Sequence, residues 1–556
     1  MILGASAIER LSRGKQSIAT HQGALYCSAM PDTFADGSSG DEAAATGPGR
    51  RRRGRSRQRD EGPKPVQQVQ FRNVRRPFQP TEVVDADQLE AIHESSLDVL
   101  ETVGMDVLEP DARKLFSDAG CRIDGERVRF DREMITETIS TCPAEFTHHA
   151  RNPEHNVRIG GDNVVFTAVG SPPNVGDGAG GRRTGNQEDF RNLVRLSHHF
   201  NSIHMHAGYP VEPADIHPSV RHLHATNDLL TLSDKALNAY SLGRERNQDS
   251  LEMVRIARGV SHEQISSEPS LHTVINTSSP LRLDVPMCQG IIFQAEHGQI
   301  SIITPFTLAG AMAPVTIAGA VTQQNAEALA GIALSQLVRP GAPVIYGGFT
   351  SNVDMRSGSP AFGTPEFMKA AMLGGQLARR YGLPYRSSNV NAANAVDAQA
   401  GYESVFSLWG AVMGGANVVF HGAGWLEGGL RASYEKLVID ADLLSMVQTF
   451  LEPLRVDDSE MALDAIADVG PGGHFFGTQH TQDRYRNAFY MPMISDWRNF
   501  ESWEEAGSPT AQDHAVDLVG QALGEYTEPA MDSAVRDELD AFVQRRVEEG
   551  GVATDY

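Results

Sequence analysis

Cysteine is scarce in this chain, and what there is stands apart. Cys27, Cys121, Cys142 and Cys288 are the only four in 556 residues and form no CxxC pair. That spacing offers neither a zinc ribbon nor a disulfide framework, and a reducing cytoplasm is the expected setting. Long apolar runs are missing as well. The best candidate, LAGAMAPVTIAGAV from Leu308, is broken by glycine and proline and falls short of the roughly 18–20 residues a membrane span requires. No fixed-period repeat is present, which excludes a solenoid. No HExxH motif accompanies the histidines.

What is present is an ordinary globular composition, 40% hydrophobic and 21% charged, long enough for one large domain with terminal additions. The net charge of −23 is unevenly spread, because residues 1–80 carry 14 Lys/Arg against 7 Asp/Glu and the remainder is strongly acidic. Much of the basic excess lies in GRRRRGRSRQR, Gly49 to Arg59. An acidic body repels phosphate, so this run is read as a solvated tail and not as a nucleic-acid site. Residues 1–65 are expected to form a disordered basic tail, with Met30 as the natural start of the protein.

Order is expected from about Val66. DADQLEAIHESSLDVLETVG spaces Leu89, Ile92, Leu97, Leu100 and Val103 as one helical face and ends at Gly104, as a C-cap would. Helices over 111–119 and 131–141, with the hairpin-like CRIDGERVRF between them, complete an N-terminal cap over residues 66–160. Strand patterns then begin at Asn163, Ser202, Ala236, Leu271, Ile300, Pro343, Pro384 and Asn417, with helical patterns between them. Eight strand and helix units over residues 161–451 fit a (β/α)8 TIM barrel, and a doubly wound open sheet gives a similar alternation. Residues 452–556 read as a helical and irregular C-terminal extension packed on the barrel.

Several ordered segments resemble the trimethylamine methyltransferase family of corrinoid-dependent barrel enzymes. They are AIHESSLDVLETVG, the long run AGAMAPVTIAGAVTQQNAEALAGIALSQLVRPGAPVIYGG, GTPEFMKAAM, YGLPYRSS, DAQAGYES, SYEKLVIDADLLSM and GGHFFGTQHT. One departure bears on substrate. Archaeal trimethylamine enzymes carry pyrrolysine after the YGLP strand, at about Val390 or Asn391 here, where this chain reads NVNAANAV. The resemblance is therefore to the non-pyrrolysine branch, whose members demethylate quaternary amines such as glycine betaine. It implies methyl transfer to the Co(I) corrinoid of a separate protein, with no corrinoid bound tightly by this chain, and a homo-oligomer. Two alternatives stand beside it: a non-catalytic barrel that binds quaternary amines, and trimethylamine demethylation without pyrrolysine.

Aromatic faces attract a quaternary ammonium, which makes Phe166, Tyr209, Tyr346, Phe349 and Trp425, all near strand ends, candidates for its cage. Asn389 and Asn391 are candidates to orient substrate, with turn chemistry as the competing role. Glu403 and Gln399 follow on a helix start, where capping competes. Asp354 and Arg356 share a loop; Arg356 offers a fork for a substrate carboxylate, or pairs internally. His421 ends the eighth strand, in a catalytic or a structural role. The pairs His204/His206 and His222/His224 raise a metal reading, and no metal is expected.

Overall fold

Runs of β-branched and apolar residues bounded by Gly, Pro and Asn become short strands, and the stretches between them become helices. The computed structural model describes residues 65–177, 181–240 and 243–554, which fall in one compact unit. The expected tail, save its last residue, and the start at Met30 lie outside the described residues.

The main sheet has eight strands: β1 (Val74–Arg75), β2 (Asn163–Ala168), β3 (Leu237–Asn238), β4 (Leu271–Ile275), β5 (Ile300–Ile303), β6 (Val344–Gly347), β7 (Tyr385–Ser388) and β8 (Val418–Ala423). Their spatial order is β1-β2-β8-β7-β6-β5-β4-β3. Only β1 runs antiparallel, with Val74 opposite Val164; β2 to β8 are parallel to their neighbours. β2, β5, β6 and β7 are buried at every position, as strands covered on both faces should be. The segment expected as a strand from Ser202 makes only single parallel bridges, from Met205 to Thr167 and to Ala236. Its N–H groups alternate sides, His204 donating to Phe166 O and His206 to Ala236 O, so the pairing is present but too short for a ladder.

Three cap helices, α1 (Ala86–Asp98), α2 (Pro110–Asp118) and α3 (Arg132–Ser140), lie between β1 and β2 in the chain. A helix then follows each strand position: α4 (Gln187–His199), α5 (Pro218–Leu232), α6 (Gly243–Arg258), α7 (Val285–Glu296), α8 (Ile317–Val338), α9 (Pro365–Arg380), α10 (Ala398–Met413) and α11 (Tyr434–Phe450). Asp85 and Asn186 cap α1 and α4 through reciprocal capping boxes, so these starts are written in the sequence. Only the end of the apolar run from Leu308 enters α8, which starts at Ile317. The helix is buried continuously from Gln324 to Gln336 because α1, α2 and α3 lie against it from outside while it packs on the sheet. No helix among the described residues is long and apolar enough to cross a membrane.

Residues 71–76 lie beside the amino end of β2 and the neighbouring His204. Phe71 packs on His155 and His204 with centroids 4.5 and 5.4 Å apart, and the His204 Nε2 is 3.1 Å from Arg72 O. At the other end of the chain, α12 (Ala511–Glu525) and α13 (Ser533–Glu548) pack back on the helical layer. Arg546 anchors α13 to Asp249 of α6 through Nε at 2.8 Å and Nη2 at 3.1 Å.

Candidate functional site

Because β2 to β8 are parallel, their carboxyl ends gather on one side, and there the loops enclose a cavity of about 430 Å³. Such a crevice is where α/β sheets place their ligands. Its walls are largely aromatic: Tyr240, Phe306, Phe349, Phe420 and Trp425 line it. Among the described residues that line it there is no Asp or Glu, and Arg386 alone of them carries a fixed charge.

Arg386 sits on β7, where side chains alternate between faces. Its neighbour Tyr385 points outward, donating its hydroxyl to Ala371 O of α9 at 2.8 Å, so Arg386 points in. The guanidinium lies between two rings, 4.8 Å from the Phe420 centroid and 5.1 Å from that of Phe349. Nη1 donates to Gly348 O at 3.3 Å, while Nε has no hydrogen-bond partner. The residue is 2% exposed, and no carboxylate among the described residues pairs with it. Burial pushes its pKa down to about 9, which leaves it cationic at neutral pH.

His421 reaches the cavity through a local distortion of β8. The ladder with β2 shifts register between Val419 and Ala423, and His421 takes a left-handed φ of 55°, an uncommon conformation for a side-chain-bearing residue. Bulges of this kind re-aim a side chain next to functional sites. The imidazole stands 4.0 Å, centroid to centroid, from Trp425. Its Nδ1 accepts the Gly170 N–H at 3.3 Å, which places the proton of the neutral ring on Nε2. Burial, with Arg386 nearby, holds it well below the usual histidine range, so it is neutral at physiological pH. Trp425 Nε1 has no hydrogen-bond partner.

Of the residues singled out from the sequence, Phe349, His421 and Trp425 come together in this cavity. Tyr209 lies one layer behind it, stacked on Tyr240 at 4.9 Å and 13°. Phe166 is fully buried and stacks on His204. Tyr346 turns outward to α8, donating its hydroxyl to Asn325 Oδ1 at 3.0 Å. Asn389 donates to Gly422 O at 2.9 Å, and Asn391 to Ala400 O and Ser404 Oγ at 3.2 and 3.1 Å. Glu403 accepts the N–H groups of Ala392 and Ala393, both at 2.9 Å, and Gln399 Nε2 at 2.7 Å. These four residues build the 389–397 loop and none lines the cavity. Asp354 accepts the Arg356 and Ser357 N–H groups within an exposed turn that also carries Arg356, where turn capping takes the place of an ion pair.

Sequence reasoning passed over Arg386 and Tyr240. The signal for the first was an arginine inside a strand, since this residue is almost never fully buried unless paired. Three of the four histidines of the His204/His206 and His222/His224 pairs are engaged with protein groups: His204 Nδ1 accepts the Phe166 N–H, His206 Nε2 meets Ser233 Oγ at 2.8 Å, and His222 Nε2 meets Asp249 at 2.8 Å. Glu90, His93 and Glu94 lie close enough to suggest an ion site, yet Arg380 binds Glu90 bidentately, Arg132 binds Glu94, and His93 bonds the Tyr381 hydroxyl. A larger groove of about 900 Å³ runs between α6 and α13. It lies away from the strand ends, and several of its charges pair with acids, as in Arg255–Glu252 and Arg546–Asp249.

A mostly parallel α/β sheet whose carboxyl ends enclose an aromatic cavity with a single buried cation defines a small-molecule α/β enzyme. The chain belongs to the trimethylamine methyltransferase (MTTB) family, which it matches over residues 50–551, and it is a methyltransferase. It is 38% identical over 470 residues to a glycine betaine methyltransferase of Desulfitobacterium hafniense, covering 84% of this chain and 98% of that protein. A trimethylamine methyltransferase of Methanosarcina acetivorans is 29% identical over 467 residues, 83% of this chain and 94% of that one. Among solved structures, a crystal structure of the hydroxylamine complex of MtmB aligns with a TM-score of 0.39 and 12% identity, covering 82% of this chain and 96% of that one.

Proposed function

We propose that this methyltransferase takes a methyl group from a quaternary amine, glycine betaine or a related betaine, and delivers it to the Co(I) corrinoid of a separate protein. The observation that carries the reading is that the cavity offers aromatic faces to a cation and no strong acid to a leaving amine: no carboxyl group lines it among the described residues, and His421 is held neutral by burial. A tertiary amine must be protonated or otherwise activated before its nitrogen can leave. A quaternary nitrogen already carries its charge; the C–N electron pair departs with it as a neutral tertiary amine, and no proton moves. The Co(I) corrinoid supplies the electron pair that forms the new bond to the methyl carbon. This chain's part is to bind, orient and exclude water. The faces of Trp425, Phe349 and Tyr240 hold the ammonium by cation–π attraction, roughly 0.5–2 kcal/mol per ring, and His421 fixes the angle of Trp425. Asn389, Asn391, Gln399 and Glu403 act by shaping the loop beside the cavity.

The architecture behind this reading is a (β/α)8 barrel over residues 161–451 with an N-terminal cap and a C-terminal extension. The two parallel bridges at Met205 support closure of the sheet between β2 and β3. Loops at the mouth expose Val315 and Met355, each 71% accessible, which suits docking of a protein-borne acceptor in a cytoplasmic setting. Tyr402, Val405, Phe406 and Trp409, at helical spacing, expose an apolar face on α10, and a homo-oligomer would cover it. Light scattering is expected to give a multiple of the chain mass; a monomer at micromolar concentration would remove that part of the reading.

Calorimetric titration with glycine betaine, proline betaine, carnitine and trimethylamine tests the substrate. Saturable binding of a quaternary amine is expected, with trimethylamine inert, followed by demethylation of the bound compound only when a Co(I) corrinoid is supplied. Binding of trimethylamine alone would overturn the proposal.

A further inference from the structure

Resting on the quaternary-amine reading, we infer that Arg386 is the anchor for an anionic group on the substrate, and that it makes the site selective for zwitterionic amines over purely cationic ones. A guanidinium that is 2% exposed, stacked between Phe349 and Phe420 and without a carboxylate partner is costly to keep in a folded protein, because a buried charge is tolerated only when something pairs with it. Two rings lie within 5.1 Å of it, and Nη1 is held on Gly348 O. Nε is a buried donor left without a partner, and a carboxylate is the acceptor that best matches a guanidinium with donors to spare.

The same charge acts on the other end of the substrate. A cation without an anionic group, confined in about 430 Å³ with Arg386 and with no Asp or Glu among the described lining residues, meets an uncompensated positive charge. A betaine brings its own compensation: its carboxylate pairs with Arg386 while its ammonium rests on the aromatic wall beyond. Arg386 is thus a binding and specificity residue that repels one class of amine and completes its own ion pair with the other.

The test compares glycine betaine with its methyl ester, which keeps the ammonium and removes the anion, on the wild-type chain and on Arg386→Gln, by calorimetry at pH 7.5. The wild type is expected to favour betaine over the ester by about 100-fold, in line with the loss of one partner of a desolvated charge pair. Arg386→Gln is expected to lose betaine affinity by a similar factor, to bind the ester as well or better, and so to erase the preference. Equal affinity of the wild type for betaine and ester overturns the anchor while leaving the quaternary-amine reading intact. Failure of the wild type to bind either compound removes that reading, and the anchor with it. If circular dichroism shows Arg386→Gln to be unfolded, the wild-type comparison alone decides.

Discussion

Between pH 8 and pH 5 this protein is expected to lose about 6 kcal/mol of stability from three histidines alone, enough to unfold many domains. His148, His204 and His206 are each at most 2% exposed, and burial pushes each of them down to about 3. Lys235, whose Nζ donates to the carbonyls of Ser197, Phe200 and Ile203, adds to the shift at His204 and His206. The sign follows from proton uptake. In the unfolded chain these imidazoles take up protons near pH 6.5, whereas in the folded chain they resist until about pH 3. Stability is therefore complete above pH 6.5 and falls as pH drops below it, by about 1.4 kcal/mol per unit for each group. Asp234, held down to about 2 by the hydrogen bond from His155 against its own burial, withdraws its contribution only below pH 3.8. Urea midpoints followed by circular dichroism at pH 8, 6.5 and 5.5 check this; a midpoint that stays level across the series would mean these rings accept protons in the folded state.

Asp440→Ala is expected to cost about 3–5 kcal/mol, the range for removing one partner of a buried ion pair. Asp440 and Lys436 are 1% exposed each and 2.5 Å apart on α11. Burial raises the Asp440 carboxyl, and Lys436 works against that rise. The carboxylate also accepts the Gly424 N–H at 2.9 Å and Ser404 Oγ at 3.2 Å, and Ser404 in turn holds Asn391. Truncation therefore strands an ammonium in the interior and frees the loops that carry Trp425 and residues 389–397. The double variant Lys436→Met with Asp440→Leu should recover most of the loss, since the penalty comes from the charge left behind and not from the pair's own worth. Equilibrium denaturation of the three proteins settles it: a double variant no better than Asp440→Ala would show that the hydrogen bonds to Gly424 and Ser404 matter more than the charge.

The strands and helices were legible because their signals are local. Asp85 and Asn186 announce helix starts, and the apolar runs from Asn163, Ile300 and Pro343 announce strands. Direction along a strand was harder. A strand buried on both faces has no polar stripe to show which side chains look inward, so Tyr346, which turns outward to Asn325, was as good a cage candidate from sequence as Phe349, which faces the cavity. Arg386 was hidden for the same reason. Asn391 and Glu403 carry the polarity of ligand contacts but spend it on the 389–397 loop, a distinction that rests on partners remote from them in the chain.

The packing of Phe71 on His155 and His204 beside the amino end of β2 has a consequence for traffic. With Phe71 filling space at that end, the proposed route in and out is the one at the strands' carboxyl ends, where the cavity lies. On the proposed reaction, the incoming amine, the departing tertiary amine and the methyl acceptor all use it, so they must take turns. The amine enters first, the acceptor then closes the door behind it, and the spent amine stays enclosed until the acceptor withdraws.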